Sequence, residues 1–414
     1  MSAVAIRALV VSLLVLAASS PVRAQGAVLV VKPSGAPFAT IQAAIAAAAD
    51  GDTIYVHEGT YAGLSVVGRS LTIAGAEGEI VKVGGDYAKI QDLQPDDVVV
   101  LRGLQLRGLH VSNSAGTVWI EDCQVLVTIP ALIVESSVSV VFVRCGIEGP
   151  DAFTDATSTL HPSGIGARLS DSVVAMFDCH VKGGNGQDFH PIPSGTADAT
   201  AGDDGIELHG GALRLSGGSV QGGKGGDGPL NPAFGCAGED GGDGVFMADG
   251  SPSLVVNDVA IAGGAGGTAP SSCPGGQPEP GDPGEAILVQ SGTAETIPGT
   301  ARLLALGGPA IENHVVALEV AGEPGDVVLL LIGLQPGLVP KPAHGGALLV
   351  PAPLLVTPLG VLGDPAQVDL PFVVPELGPG VATVHACVQG VFKPTAGAAL
   401  LGSGSLLIAL DSIY

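Results

Sequence analysis

Residues 173–292 constrain this chain most, because they are three copies of one unit laid end to end. Each copy opens with a β-rich run, at 173–181, 212–220 and 253–261. Each then enters a glycine-rich loop: Gly183-Gly184-Asn185-Gly186, Gly222-Gly223-Lys224-Gly225 and Gly263-Gly264-Ala265-Gly266. Each leaves through a short apolar run, at 206–208, 245–247 and 287–289, and closes on Gly211, Gly250 or Gly292. No copy can bury its apolar face alone, so units of this kind stack into a solenoid.

A shorter pattern extends this reading towards the N-terminus. Apolar positions alternate, skip two residues, then alternate again. Examples are Val99/Leu101/Leu104/Leu106, Val118/Ile120/Cys123/Val125, Val140/Phe142/Cys145/Ile147 and Val174/Met176/Cys179/Val181. Period two marks a strand, and the two-residue step marks a bend. Val118 to Val140 spans 22 residues, about one compact coil, and the following steps to Val174, Leu213 and Leu254 are 34, 39 and 41. The growth falls at one place in each coil, so the glycine-rich loops are expected on one flank. Residues 40–49 read as a helix covering the open N-terminal end. Ile41, Ile45 and Ala48 share a face, Thr40 caps the start and Gly51 is the expected stop.

The most distinctive motif here is Phe38-Ala39-Thr40-Ile41-Gln42-Ala43-Ala44-Ile45, followed by Gly51-Asp52-Thr53-Ile54-Tyr55-Val56-His57-Glu58-Gly59-Thr60-Tyr61. It resembles the opening of exported bacterial β-helix proteins of the pectin-lyase-like superfamily and, more distantly, of pectin methylesterases. The resemblance covers roughly residues 28–300 and implies an all-β, right-handed parallel β-helix. It implies no single activity, because the superfamily holds lyases, hydrolases, esterases, epimerases and proteins without known catalysis.

Residues 1–24 read as an export signal. Arg7 is the positive start, 8–18 the apolar run, and Val22-Arg23-Ala24 the cleavage region. A secreted or cell-envelope location is expected, with the β-helix over 25–298. Residues 299–414 hold aliphatic strands cut by glycine and proline, the pattern of a small antiparallel β-sandwich. No later stretch has the length and character of a membrane span. A net charge of -24 argues against nucleic acid, anionic membranes and acidic polysaccharides as partners.

Six cysteines fall into three groups. Cys123, Cys145 and Cys179 share one coil position and are expected to stack as small buried residues. Cys236 and Cys273 sit at similar depth in adjacent loops and are expected to form a disulfide. Cys387 reads as a core residue of the second domain.

The acids are the candidate chemistry. Asp204, Asp243 and Glu285 align just before the second apolar run of three consecutive units. Stacked about 4.8 Å apart, such carboxylates repel unless one is protonated or a cation intervenes. Oxygen donors of this kind suit Ca²⁺. Asp203, Asp240 and Asp282 lie nearby. Asp188 and Asp227 close two runs that resemble the first six positions of the calcium-binding nonapeptide of repeat-in-toxin proteins. The third unit has Thr268 there instead. The competing reading is solvated loop carboxylates among glycines that supply positive φ.

Gly202-Asp203-Asp204-Gly205-Ile206, then His209-Gly210, is similar to the Gly-Asp-Asp run of polygalacturonase-type hydrolases. The resemblance makes Asp188, Asp203, Asp204 and His209 candidate catalytic residues, with paired acids in general acid and base roles. The Arg-x-Lys of those enzymes is absent. His161, His180, His190 and His209 show no metal-ligand spacing on one element. Two functions follow as expectations. The first is a secreted, non-catalytic scaffold or binding protein with a glycan as its candidate partner, that needs no cofactor beyond structural Ca²⁺. The second is a polysaccharide hydrolase or lyase using Asp203 and Asp204 with Asp188 or Asp243.

Overall fold

The computed structural model describes residues 26–155, 157, 159–192, 195–228, 237–269 and 278–414. The leader read over 1–24 lies outside this set, as do Cys236 and Cys273 and the bridge expected between them.

The first part of the chain is a right-handed parallel β-helix with three stacked faces. The first face runs from Val28–Val31 through Thr53–Val56, Leu71–Gly75, Val98–Arg102, Thr117–Glu121 and Val140–Val143 to Thr293–Ile297. The second runs from Gly59–Tyr61 to Ala260–Ala262, and the third from Ser65–Val67 to Ile287–Val289. Val173–Lys182 and Ala212–Gln221 cross from the first face to the second without a break. The bend between these faces is a column of left-handed residues: Gly103, Asp122, Arg144, Asp178, Gly217 and Asp258, with φ from +51° to +72°. This is the two-residue skip of the sequence pattern. Asp tolerates the left-handed region better than most side chains, which suits it to the corner.

Inward residues stack in register: Ile54, Ile73, Leu101, Ile120, Phe142, Met176, Leu215 and Val256 form one buried column. Burial of each such side chain is worth about 1.5–3 kcal/mol. Cys123, Cys145 and Cys179 occupy one coil position as buried free thiols. Burial pushes the Cys123 thiol up to about 12, so it is a packing residue and not a nucleophile.

The cap helix is Ile41–Ala47, started by Thr40, whose hydroxyl accepts the Ala43 N–H at 3.2 Å. It ends before Gly51. Ala48 is already extended, and the Asp52 carboxylate accepts the N–H groups of Ala49 and Ala27, both at 2.7 Å. Gly51 serves the next turn with φ +86°.

The glycine-rich loops leave one flank, between the second and third faces, and they are ordered as a second stack. Each rung has an outbound segment (183–189, 222–228 or 263–269) and a return segment (198–204, 238–243 or 278–285) without helix or strand. Their bonds follow a period of three. Gly222, Gly225 and Gly228 donate to carbonyls of the next rung, on Ala262, Ala265 and Thr268. Gly223 and Gly226 donate across to the return segment of the previous rung, at Asp203 and Thr200. Lys224 and Asp227 donate back to side chains, Asn185 Oδ1 and Asp188 Oδ1. Three residues per turn and lateral bonding alone are the marks of packed polyproline-II helices.

This corrects the reason for the glycines. None in these segments has positive φ. A Cβ on Gly223 would overlap the carbonyl oxygen of Gly184, and one on Gly226 that of Gln187. Lateral crowding excludes a side chain there, and backbone conformation does not.

Residues after 300 form a sandwich. A three-stranded antiparallel sheet of Leu303–Leu306, Val315–Ala321 and Gln367–Val373 packs on a five-stranded sheet. The latter orders Ala310–Ile311, Leu400–Leu410, Thr383–Lys393, Val327–Gly333 and Leu355–Val361. The sandwich lies on the outward side of the first β-helix face. Val100, Trp119, Val141 and Phe177 pack there against Leu331, Leu349, Cys387 and Leu406. Trp119, the only tryptophan in the chain, is fully buried at this junction.

Candidate functional site

The aligned acids sit on the return segments and do stack. Asp204 Oδ1 accepts the N–H of Asp243 at 2.6 Å, and Asp243 Oδ1 accepts that of Glu285 at 2.6 Å. Asp240 Oδ1 likewise accepts the Asp282 N–H at 2.7 Å. On the outbound side Asp188 accepts from Asp227, and Asp227 accepts the N–H of Thr268 at 2.8 Å and the ammonium of Lys224 at 2.9 Å. A peptide N–H therefore stands between successive carboxylates, where repulsion alone would have called for a cation. Among the described residues no three His, Cys, Asp or Glu side chains converge as a metal-ligand set.

Asp203 and Asp204 border the outward side of the third face, which the sandwich leaves open. Outward residues of Ala167–Ser170 and Ile206–His209 meet there. Arg168 Nε donates to Glu207 Oε2 at 2.7 Å, and His209 Nε2 lies 3.5 Å from the same carboxylate. His209 Nδ1 lies 3.0 Å from Asp249 Oδ1. Further along the face His110 contacts Glu135 at 2.7 Å, and the Tyr87 ring packs edge-on to His110. Burial, then the charges of Asp243, Glu207 and Asp203, push the Asp204 carboxyl up to about 6. Burial, then Glu207, also raises Asp203, while Ser163 and Arg168 hold it down.

The structure thus brings Asp203, Asp204 and His209 to one neighbourhood, with Glu207 among them. Asp188 stands on the outbound segment instead. Asp227, Asp243 and Glu285 are rungs of the acid ladders. His161 stacks on Phe153 and contacts Asp155, and His180 pairs with Ser219; the His190 side chain is outside the described residues. Sequence reasoning missed Glu207, Asp249 and Glu135. The available signal was their register: Arg168 and Glu207 are paired positions on adjacent strands, and opposite charges there bridge the rungs.

A second charged cluster was also missed, and it is sealed. Glu121 is fully buried and accepts from Trp119 Nε1 at 2.9 Å, Arg144 Nη2 at 2.7 Å, the Leu406 N–H at 3.1 Å and the Ser405 hydroxyl. Arg102, also fully buried, donates to Leu306 O at 2.7 Å, Gly307 O at 2.6 Å and Leu406 O. Arg144 and Arg102 both hold Asp122. These groups latch the sandwich to the β-helix.

No protein-family model matches the chain, and no curated protein sequence matches it. Among solved structures it is similar to a pectin methylesterase crystallised in complex with hexasaccharide VII. The identity is 13% and the TM-score 0.34, over 57% of this chain and 82% of that one.

Proposed function

We propose that this is an exported, non-catalytic β-helix scaffold whose open third face holds a neutral extracellular glycan. The observation that carries the reading is the occupation of the acids. Asp204 and Asp243 accept N–H groups of the next rung, and Glu207 is held by Arg168. Carboxylates committed to peptide and guanidinium donors build a wall and orient a few polar groups. The open face still offers Tyr87, His110, Arg168 and His209, a mix of ring surface and donors that suits sugar hydroxyls. The chain's net charge of -24 favours a neutral over an acidic polymer.

The test is calorimetric titration of neutral and uronate oligosaccharides into the mature protein, beside an Arg168→Ala/Tyr87→Ala variant. Binding of a neutral oligosaccharide that the variant loses supports the reading. Absence of binding to any glycan sinks it.

A second reading, a polysaccharide hydrolase, is favoured by one observation: the Asp204 carboxyl raised to about 6 beside Asp203. A raised carboxyl is what a general acid needs. Release of reducing ends from a polysaccharide, abolished in Asp204→Asn, would establish it over the scaffold reading.

A further inference from the structure

The last rung of the glycine-rich flank has no described neighbour beyond it. In the rungs before it, Gly183 and Gly186 donate to Gln221 O and Lys224 O at 2.9 and 2.8 Å. Gly222 and Gly225 donate to Ala262 O and Ala265 O at 3.0 and 2.9 Å. The equivalent N–H groups of the last rung, on Gly263 and Gly266, meet no acceptor among the described residues. The side-chain half of the ladder is open too. Asp240 and Asp243 each accept an N–H from the rung that follows, but the carboxylates of their successors, Asp282 and Glu285, meet no donor among the described residues. At the positions where Gly238 and Gly241 donate onward, the last rung has Pro280 and Pro283, which carry no N–H.

We propose that this edge docks an extended, basic segment of another protein, laid down in the polyproline-II conformation as a fourth rung. The inner rungs define the occupant. It must offer carbonyls every third residue to Gly263 and Gly266, about 9 Å apart at a rise of about 3.1 Å per residue. It must also offer N–H groups to Asp282 and Glu285, which in the inner rungs come from the return segment and not from the outbound segment that supplies the carbonyls, so the docked chain has to lie over both segments. A peptide has both in one repeat; a glycan has no such N–H series. The same edge of a second copy cannot serve, because it too presents Gly263 and Gly266 as donors and would set acid against acid. Glu279, Asp282 and Glu285 are exposed on this edge, so Lys or Arg side chains complement it. This surface is the end of the solenoid and not the third face, so the inference stands apart from the glycan reading.

The experiment titrates a synthetic peptide of Pro-Lys-Gly repeats into the full mature chain. The control is a peptide of equal charge and alternating L- and D-lysine, which cannot form the left-handed polyproline-II helix. Hydrogen exchange is read in parallel. The expected result is binding of the first peptide only, with exchange at Gly263 and Gly266 slowed about tenfold or more. An Asp282→Asn/Glu285→Gln variant should melt as the parent does and bind about tenfold more weakly. Equal binding of both peptides, or none, overturns the proposal. So does protection of Gly263 and Gly266 without peptide in a protein that sediments as a dimer, because a second copy would then be the occupant.

Discussion

Gly223 and Lys224 are neighbours in the chain and opposites in the fold. Gly223 faces the carbonyl of Gly184 with no room for a Cβ, whereas the Lys224 side chain points outward to Asp227. Gly223→Ala should lower the unfolding free energy by about 2–3 kcal/mol. Lys224→Ala should stay within about 0.5 kcal/mol. Urea unfolding of both variants checks the contrast, and equal losses would refute lateral packing as the reason for the glycine. Asp204 gives a second test at this scale. Its folded pKa, about 6, lies above the ordinary carboxylate value of 3.8. The folded state therefore holds its proton longer, and the stability this brings at low pH is lost as pH rises through 6. Asp204→Asn keeps an acceptor for the Asp243 N–H and removes the buried charge. At pH 7.5 it should stabilise the fold by about 1 kcal/mol, a value already reduced for the solvent that reaches this group. A melting curve lower than the parent's at that pH would contradict it. The glycines themselves were legible in the sequence; their cause was less so. Positive φ and lateral crowding both demand glycine, and only the three-residue spacing of Gly222, Gly225 and Gly228 separates them.

Between elements, the decisive contact is the first β-helix face against the sandwich. Strands of a sheet covered on both sides read as continuous apolar runs. Val98–Arg102, Val140–Val143 and the start of Val173–Lys182 are such runs, with no polar residue at the alternate positions of VVVL, VVFV and VVAMF. The covering could have been read from these runs. The alternation that located the strands concealed it, since attention to the inward positions says nothing of the outward ones. The latch residues Glu121 and Arg102 carry no signal of their own, because an ion pair across rungs looks the same whether it faces water or another domain. Removing one partner leaves the other buried and uncompensated, so Glu121→Ala should cost about 3–5 kcal/mol. Thermal unfolding of the full chain measures it, and a change below about 1 kcal/mol would mean the pair behaves as a surface contact. In the second domain the aliphatic runs between glycine and proline mark Val315–Ala321 and Val327–Gly333 directly. Leu355–Val361 carries a weaker signal, because Pro358 and Gly360 interrupt its pattern.

At the scale of the whole molecule, one half-buried histidine makes the domain junction sensitive to acid. His385 of the sandwich lies against the β-helix, with Nε2 3.0 Å from the hydroxyl of Thr53. It borders a cavity of about 200 Å³ between the domains, lined also by Ser70, Val98, Gln335 and Thr383. Burial lowers its pKa from 6.5 to about 4. The unfolded or undocked chain binds the proton first, so stability is full above pH 6.5 and falls as pH drops towards 4. The full shift corresponds to about 3 kcal/mol, and the loss should amount to about 2 kcal/mol once reduced for the solvent that reaches the ring. Trp119 reports it directly, because the only indole in the chain is buried at the same junction. Its emission should shift to the red, or its melting transition fall, between pH 6.5 and 4, and His385→Gln should flatten that dependence. An emission spectrum constant over this window in both proteins would show that the junction does not sense the proton.

The two prolines of the last rung act as punctuation. The inner rungs repeat nearly the same clause, with glycine at most of the positions that join the next one and Phe189 at one joint of the first rung. Pro280 and Pro283 stand at the joining positions where Gly238 and Gly241 stood one rung earlier, and they close the sentence on that track. The number of rungs is thus spelled in the chain. A duplicated rung inserted ahead of them would read correctly with its neighbours on both sides, while one added after them would find half its joints missing. Lengthening of such a flank by descent should proceed from within and leave the prolines last.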